Sequence, residues 1–218
     1  MKITLEDLRN DEAIECYIRK ADESLLALGY TEHSFPHVLK VAKTAYRILE
    51  TLGYSEREAE LAAIAGYLHD IGNVVNRVEH AQSGAVMAFR ILDRMNARPE
   101  EIATIVTAIG NHDEATAYPV NPVAAALILA DKTDVRRSRV RNQDMPSFDI
   151  HDRVNYSVIE SNLHINKAEI CLDITIETEI CSVMDYFEIF INRMILCKKS
   201  AERLGVKFGL MMNGQKMI

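Results

Sequence analysis

The chain has 218 residues, 48% of them hydrophobic, which is enough to bury a full core, so one principal domain with at most a small appendage is expected. Its 25 basic and 32 acidic residues leave a net charge of -7, which argues against general adhesion to nucleic acid or to an anionic membrane; a phosphate-bearing partner must meet a local basic patch. Four cysteines (Cys16, Cys171, Cys181, Cys197) show no CxxC spacing, so they suggest neither a disulfide framework nor a thiolate zinc site.

The amino-terminal MKITLEDLRNDEA is charged and lacks the apolar core of a signal peptide. No window reaches the apolar length of a membrane span, so a soluble, cytoplasmic protein is expected. From Thr4 to Ile128 nearly every segment has helical periodicity. Leu5 and Leu8, then Ile14, Ile18, Ala21 and Leu25, recur at three- and four-residue steps up to Gly29, a natural terminator. Val38, Val41, Ala42, Ala45, Ile48 and Leu49 mark an amphipathic helix closed by Gly53, with His37 at its start and on its buried face.

Ser55 and Glu58 form a capping box for a helix whose middle, LAAIAGYL, is apolar all round and belongs at the centre of a bundle. It runs into His69-Asp70-Ile71-Gly72, where the glycine is expected to end it. Further helices are expected from about His80 to Asn96, from Pro99 to about Gly110, and from Asn121-Pro122 through VAAALILA to Asp131.

After about Asn142 the pattern changes. LHI and CLDITIE alternate as half-buried strands around an Asn166-Lys167 turn, Ser182 to Leu204 gives a helix ended by Gly205, and VKFGLMM leads to an Asn213-Gly214 turn. The expected fold is therefore mainly α, a helical bundle over residues 1–145 with a small α+β appendage over 146–218.

Most of the histidines fall at or near helix ends in the all-α part. His37, the His69-Asp70 pair, His80, His112 and Asp131 bring imidazoles and carboxylates from several helices, a nitrogen and oxygen set without sulfur. The pair at 69–70 interrupts a wholly apolar helix and Asp131 follows another, so both need a cation or hydrogen-bond donors to offset desolvation.

In order, HVLKVA, LHDIG, EHAQSGA, NHDE and ILADKTD resemble the successive motifs of the HD superfamily of metal-dependent phosphohydrolases, over about residues 30 to 141. The resemblance implies an HD-domain bundle in which His37, His69, Asp70 and Asp131 hold a divalent metal. His80 and His112 match the two further histidines of two-metal members, the HD-GYP cyclic dinucleotide phosphodiesterases and the YqeK-type dinucleoside tetraphosphate hydrolases. Asp70 would then bridge two ions (Fe, Mn, Mg, Zn, Co or Ni), and a metal-activated water would cleave a phosphate ester or anhydride. Asn73 stands where the HD-GYP class has a lysine and Tyr118-Pro119 lacks that class's glycine, so the resemblance does not extend to cyclic di-GMP.

Lys132, Arg136, Arg137, Arg139 and Arg141 form a basic stretch directly after Asp131. It is open to two readings, a phosphate-binding patch or a solvated face. Asp70 and Lys132 are the catalytic candidates; Lys132, Arg136, Arg137 and His33 are the substrate-binding ones, His33 being equally a surface-loop residue. His151 and His164, in the tail, are expected to be structural. The expected ligand is a small phosphorylated molecule such as a nucleotide; a homodimer is expected, and the tail is expected either to pack on the bundle or to serve dimerisation, its strands and apolar helix (Val183, Phe187, Phe190, Ile191, Met194) being a surface for a dimer or a partner protein. Two other readings are a one-metal phosphomonoesterase and a ligand-sensing or scaffolding module that binds metal without turnover.

Overall fold

Two segments of the chain have no polar face, and both become central helices. In the computed structural model, which describes residues 2–141 and 150–218, the all-α part comprises α1 (Leu5–Arg9), α2 (Glu12–Ala27), α3 (Phe35–Leu52), α4 (Glu56–Leu68), α5 (His80–Arg94), α6 (Pro99–Gly110) and α7 (Pro122–Lys132). Every residue of α4 from Leu61 to Leu68 is buried, as is every residue of α7 from Val123 to Ala130. The two pack on each other, and α3 and α6 pack against both. The buried stripe of α3 is the expected one, Val38, Val41, Ala42, Ala45, Ile48 and Leu49.

The caps follow the sequence. Ser55 and Glu58 make the expected capping box, and Asn121 accepts a hydrogen bond from the Ala124 amide at 2.7 Å. The first periodic stretch divides into α1 and α2, because the Asp11 carboxylate caps a new helix by accepting from the Ala13 and Ile14 amides.

Gly72 has a different role from the expected one. Helix α4 ends at Leu68, and a 3₁₀ turn follows over Ile71–Val74. Gly72 is absent from the left-handed positions that Gly29, Gly53 and Gly205 occupy at helix ends. Its hydrogen faces the first turns of α5 instead: a Cβ there would lie 2.0 Å from the His80 carbonyl oxygen and 2.4 Å from the Gly84 amide nitrogen. Gly66 plays the same part between α4 and α3, where a Cβ would lie 2.9 Å from the Ala42 Cα. These glycines set how closely the ligand-bearing helices approach.

The tail contains α8 (Ile150–Ser157), β1 (Val158–Ile165), β2 (Glu169–Ile176), α9 (Val183–Arg203), β3 (Lys207–Met212) and β4 (Gln215–Lys216). Its sheet has the order β1-β2-β3-β4, with β2 and β3 parallel across the α9 crossover and both outer pairs antiparallel. Asn213 and Gly214, at φ 50° and 76°, make the two-residue turn before β4. Alternate residues of β2, Ile170, Leu172, Ile174 and Ile176, are buried.

Helix α9 lies against α7, and a single hydrophobic core runs through bundle and sheet. The division expected at residue 145 lies outside the described residues. Phe190 and Met194, expected on a partner-facing surface, are buried in this core; Met184, Ile191 and Ile195 are the exposed apolar residues of α9. Among the described residues no helix is long and apolar enough to cross a membrane.

One buried carboxylate fastens the far end of the bundle. Glu101, in the first turn of α6, receives Arg57 Nε at 2.7 Å and Nη2 at 2.6 Å, while Arg57 Nη1 donates to the Ile3 carbonyl at 2.6 Å. Arg57 is the main reason that the Glu101 carboxyl is pulled down from 4.5 to about 2.

Two measurements check this packing. Gly72→Ala should destabilise the fold by about 3 kcal/mol or more, because backbone atoms must move, and Gly84→Ala by less, since its closest Cβ contacts are 3.2 Å; equal loss of Tm would show that α5 yields freely. A carboxylate with a depressed pKa stabilises the fold above its unfolded value, and loses that contribution as pH falls from 4.5 towards 2. Glu101→Gln should therefore cost about 3 kcal/mol at pH 7, with the gap to the parent narrowing as pH falls through that window. A pH-independent gap in denaturant melts would refute the assignment.

Candidate metal centre

Five helix ends converge on one point. His37 lies in the first turn of α3, His69 caps the end of α4 with Asp70 following, His80 opens α5, His112 follows α6, and Asp131 is in the last turn of α7. His37 and His69 are fully buried, and Asp70, His80 and His112 are 5%, 3% and 1% exposed.

Each imidazole is held by its outer nitrogen, which aims the other inward. His37 Nδ1 donates to Asp134 Oδ2 at 2.8 Å, His69 Nδ1 to the Gly66 carbonyl at 2.8 Å, His112 Nδ1 to the Ile109 carbonyl at 2.6 Å, and His80 Nδ1 to the Arg77 carbonyl at 3.1 Å. For His37, His69 and His112 this network leaves Nε2 as the inward lone pair, whereas His80 Nε2 also lies 3.1 Å from Arg77 Nη1. The inward nitrogens then meet in pairs, His37 and His69 at 3.3 Å and His80 and His112 at 3.2 Å. Two lone pairs at such a distance attract only through a positive charge between them.

Asp70 stands between the pairs. Its Oδ2 is 3.1 Å from His69 Nε2 and 3.5 Å from His37 Nε2, while its Oδ1 is 3.5 Å from His80 Nε2 and 4.0 Å from His112 Nε2. Asp131 Oδ1 faces the first pair, 3.5 Å from His37 and 3.8 Å from His69. Asn73, fully enclosed behind the site, donates to Asp70 Oδ1 at 3.1 Å. Asp70 Oδ2 is buried with no hydrogen-bond partner. Three ligand sets have donor atoms within 4.8 Å of one another: His37, His69 and Asp70; His69, His112 and Asp131; Asp70, His80 and His112. An orphaned carboxylate oxygen among inward-facing imidazoles fits a divalent cation.

The electrostatics point the same way. Burial and Arg139 weaken His37 as a base, but Asp131, Asp134 and Asp70 outweigh both and raise its pKa to about 9, so this position draws positive charge. Burial lowers His112 well below its ordinary value, with His69 and Lys132 adding to the effect. Burial lowers His80 too, keeping both imidazoles in the neutral form that ligates. Burial would raise the Asp70 carboxyl, but His69 and His37 hold it well below the usual carboxylate range.

The cluster floors a cavity of about 350 Å³. Of the expected substrate-binding residues, Lys132 and His33 line it. Lys132 is 7% exposed, with Nζ 2.7 Å from Asp131 Oδ2, and His33 is half-buried against His37, ring centroids 5.4 Å apart. Arg136 and Arg137 do not line it. Arg136 pairs with Asp134 at 2.9 Å and Glu32 at 3.2 Å, and Arg137 with Glu177 at 2.7 Å, stacked on Tyr156. The basic stretch is largely a set of clasps, with Arg141 bound to Asp22 and Arg139 donating to the Glu32 carbonyl at 2.9 Å.

Several wall residues escaped the sequence reading. Arg139, 5% exposed, belongs to that basic stretch, and Arg77 precedes His80 by one helical turn, so both were within reach of a spacing argument. Asp134, three residues after Asp131, carried the same signal. His151 and Asn155 of α8 and Arg193 of α9 also line the cavity, and nothing in the local sequence of the tail announces it. His164 lies away from the cavity, 65% exposed on β1.

An uncharacterized protein of Methanocaldococcus jannaschii is 26% identical to this chain over 162 residues, covering 64% of the chain; the chain in turn spans 62% of that relative's length. A crystal structure of a predicted HD superfamily hydrolase from an uncultured Thermotogales bacterium aligns with a TM-score of 0.47 at 23% identity, over 62% of this chain and 75% of that one. The family model of the HD domain matches residues 35–189, well over half of the chain. That span contains every histidine and aspartate of the cluster and continues through α8 into α9, so the chain belongs to the HD domain family.

Proposed function

We propose that this protein is a metal-dependent phosphohydrolase acting on a small phosphorylated molecule, a nucleotide being the substrate class that best suits its cavity. The observation that carries the reading is the Asp70 carboxylate, which offers one oxygen to each pair of histidines and whose buried Oδ2 has no hydrogen-bond partner. His37, His69, Asp70 and Asp131 would hold one divalent ion, and Asp70, His80 and His112 a second. The donor set, nitrogen and oxygen without sulfur, accepts Fe, Mn, Co, Ni, Zn or Mg. When bound, such ions supply Lewis acidity towards a phosphoryl oxygen and lower the pKa of water.

The chain's own residues do the rest. Lys132 lies beside Asp131 and lines the cavity, where its side chain would meet a phosphoryl oxygen. Arg77, Arg139 and Arg193 surround the cavity with further positive charge in a protein of net charge -7. Burial and Arg139 hold His33 well below its ordinary pKa, so it meets substrate as a neutral imidazole able to donate or accept. Arg77 covers the half-exposed ring of Tyr30 at the cavity wall, 5.5 Å to the centroid, and this pair provides a flat face for a nucleobase.

The test joins metal content to turnover. The native chain loaded with Mn is expected to hold two ions and to release phosphate from nucleotide esters, and His69→Ala with Asp70→Ala is expected to lose both. No metal retained after Mn or Fe is supplied would remove the hydrolase reading, and metal without any turnover across a panel of phosphate esters would favour a binding module. Asp134→Asn keeps the shape but weakens the orientation of His37, so metal affinity should fall about 10- to 100-fold with the fold intact. An unchanged affinity in equilibrium dialysis would show that His37 is aimed without it.

A further inference from the structure

Next to the cluster along α3 lies a second groove, of about 640 Å³, between α3, the end of α7 and the edge strand β1. Its size is that of a small-molecule site. Lys40, Lys43 and Arg47 line it from α3, at spacings of three and four residues that put them on one face over roughly 10 Å of helix. Ser161, Asn162 and His164 line it from β1, and Pro36, Leu39 and Leu163 supply apolar surface.

We infer that this groove is a second binding site, for an elongated phosphate anion of two or three phosphoryl groups. Three cations one helical turn apart repel one another, and in a chain with seven surplus negative charges such a row calls for an anionic partner. Only Lys40 has a carboxylate, Asp134, at 2.8 Å. That carboxylate is already shared with His37 at 2.8 Å and Arg136 at 2.9 Å. Among the described residues Lys43 has no ion pair, and Arg47 has none either, its Nη2 donating to the Leu163 carbonyl at 3.0 Å. Among the described residues His164 pairs with Asp173 alone, at 4.0 Å.

A single phosphate would engage one turn of this row, whereas a diphosphate or triphosphate spans it and ends on the Arg47 fork. The side-chain hydroxyls of Thr44 and Ser161 add neutral donors along the same path, while the Asn162 amide already donates one hydrogen to Glu160 at 2.8 Å. Asp134 belongs both to this groove and to the shell of His37, so the two sites are separated by one side chain.

The inference stands apart from the phosphohydrolase reading, because it is tested by where an anion binds and not by turnover. Inorganic pyrophosphate is titrated into the full, magnesium-saturated chain while backbone amide resonances are followed. Saturable shifts are expected at Lys43, Arg47, Ser161 and Asn162, besides any at Tyr30 and Arg77 in the first cavity. Lys43→Gln with Arg47→Gln should weaken the groove response at least tenfold and leave the first cavity's response unchanged. Lys43→Gln alone, at an exposed position that makes no hydrogen bond to β1, should weaken it about threefold, which keeps the result readable if loss of Arg47 loosens the strand. Shifts confined to the first cavity, or groove shifts of equal affinity in both variants, would overturn the site.

Discussion

A carboxylate oxygen buried without a partner is the constraint around which this molecule is arranged. Asp70 Oδ2 sits where two apolar helices end, with the Nε2 atoms of His69 and His37 as its neighbours. An apolar bundle would be more stable with hydrocarbon at this point. The chain retains the polar cluster and surrounds it with features that keep it in place: carbonyls from α4 and α6 that lock His69 and His112, and glycines that let α4, α3 and α5 approach closely. The cluster therefore holds unpaired acceptors in a geometry fixed by its hydrogen bonds, an arrangement that suits a cation.

Asp134 is the hinge of this arrangement. It sits in the turn beyond α7 and receives His37, Lys40 and Arg136 on its two oxygens, with Arg139 near by. Arg139 in turn fastens the segment that carries Glu32 and His33 to the turn, through the Glu32 carbonyl at 2.9 Å and the Asp134 carbonyl at 3.1 Å. One short polypeptide stretch thus aims a histidine of the cluster, shapes the cavity wall and meets the second groove.

Much of this was legible in the chain itself, because helix ends are written locally. Ser55 with Glu58, Asn121 with Pro122, and Gly53 and Gly205 set boundaries through caps and left-handed backbone, which depend on a few adjacent residues. The convergence of His37, His69, His80, His112 and Asp131 was also accessible, since each interrupts or terminates an apolar stretch. What escaped depends on tertiary contact. Gly72 resembles a terminator in sequence, and only its approach to the His80 carbonyl shows why no side chain fits. Arg136 and Arg137 resemble phosphate ligands until their partners Asp134, Glu32 and Glu177 are seen. Helix α8 has too few apolar residues to declare itself before β1 begins at once after it.

The tail's contribution to the first cavity divides labour along the chain. The atoms that gather at Asp70 all come from residues 37 to 131, whereas His151, Asn155 and Arg193 reach the same cavity from α8 and α9. The cavity wall can therefore change by exchange of a few tail side chains while the histidine and aspartate cluster stays untouched, much as a lock keeps its bolt when its wards are recut. Relatives that share the helix-end cluster and differ in the appended sheet would keep one set of ligand atoms behind differently shaped walls.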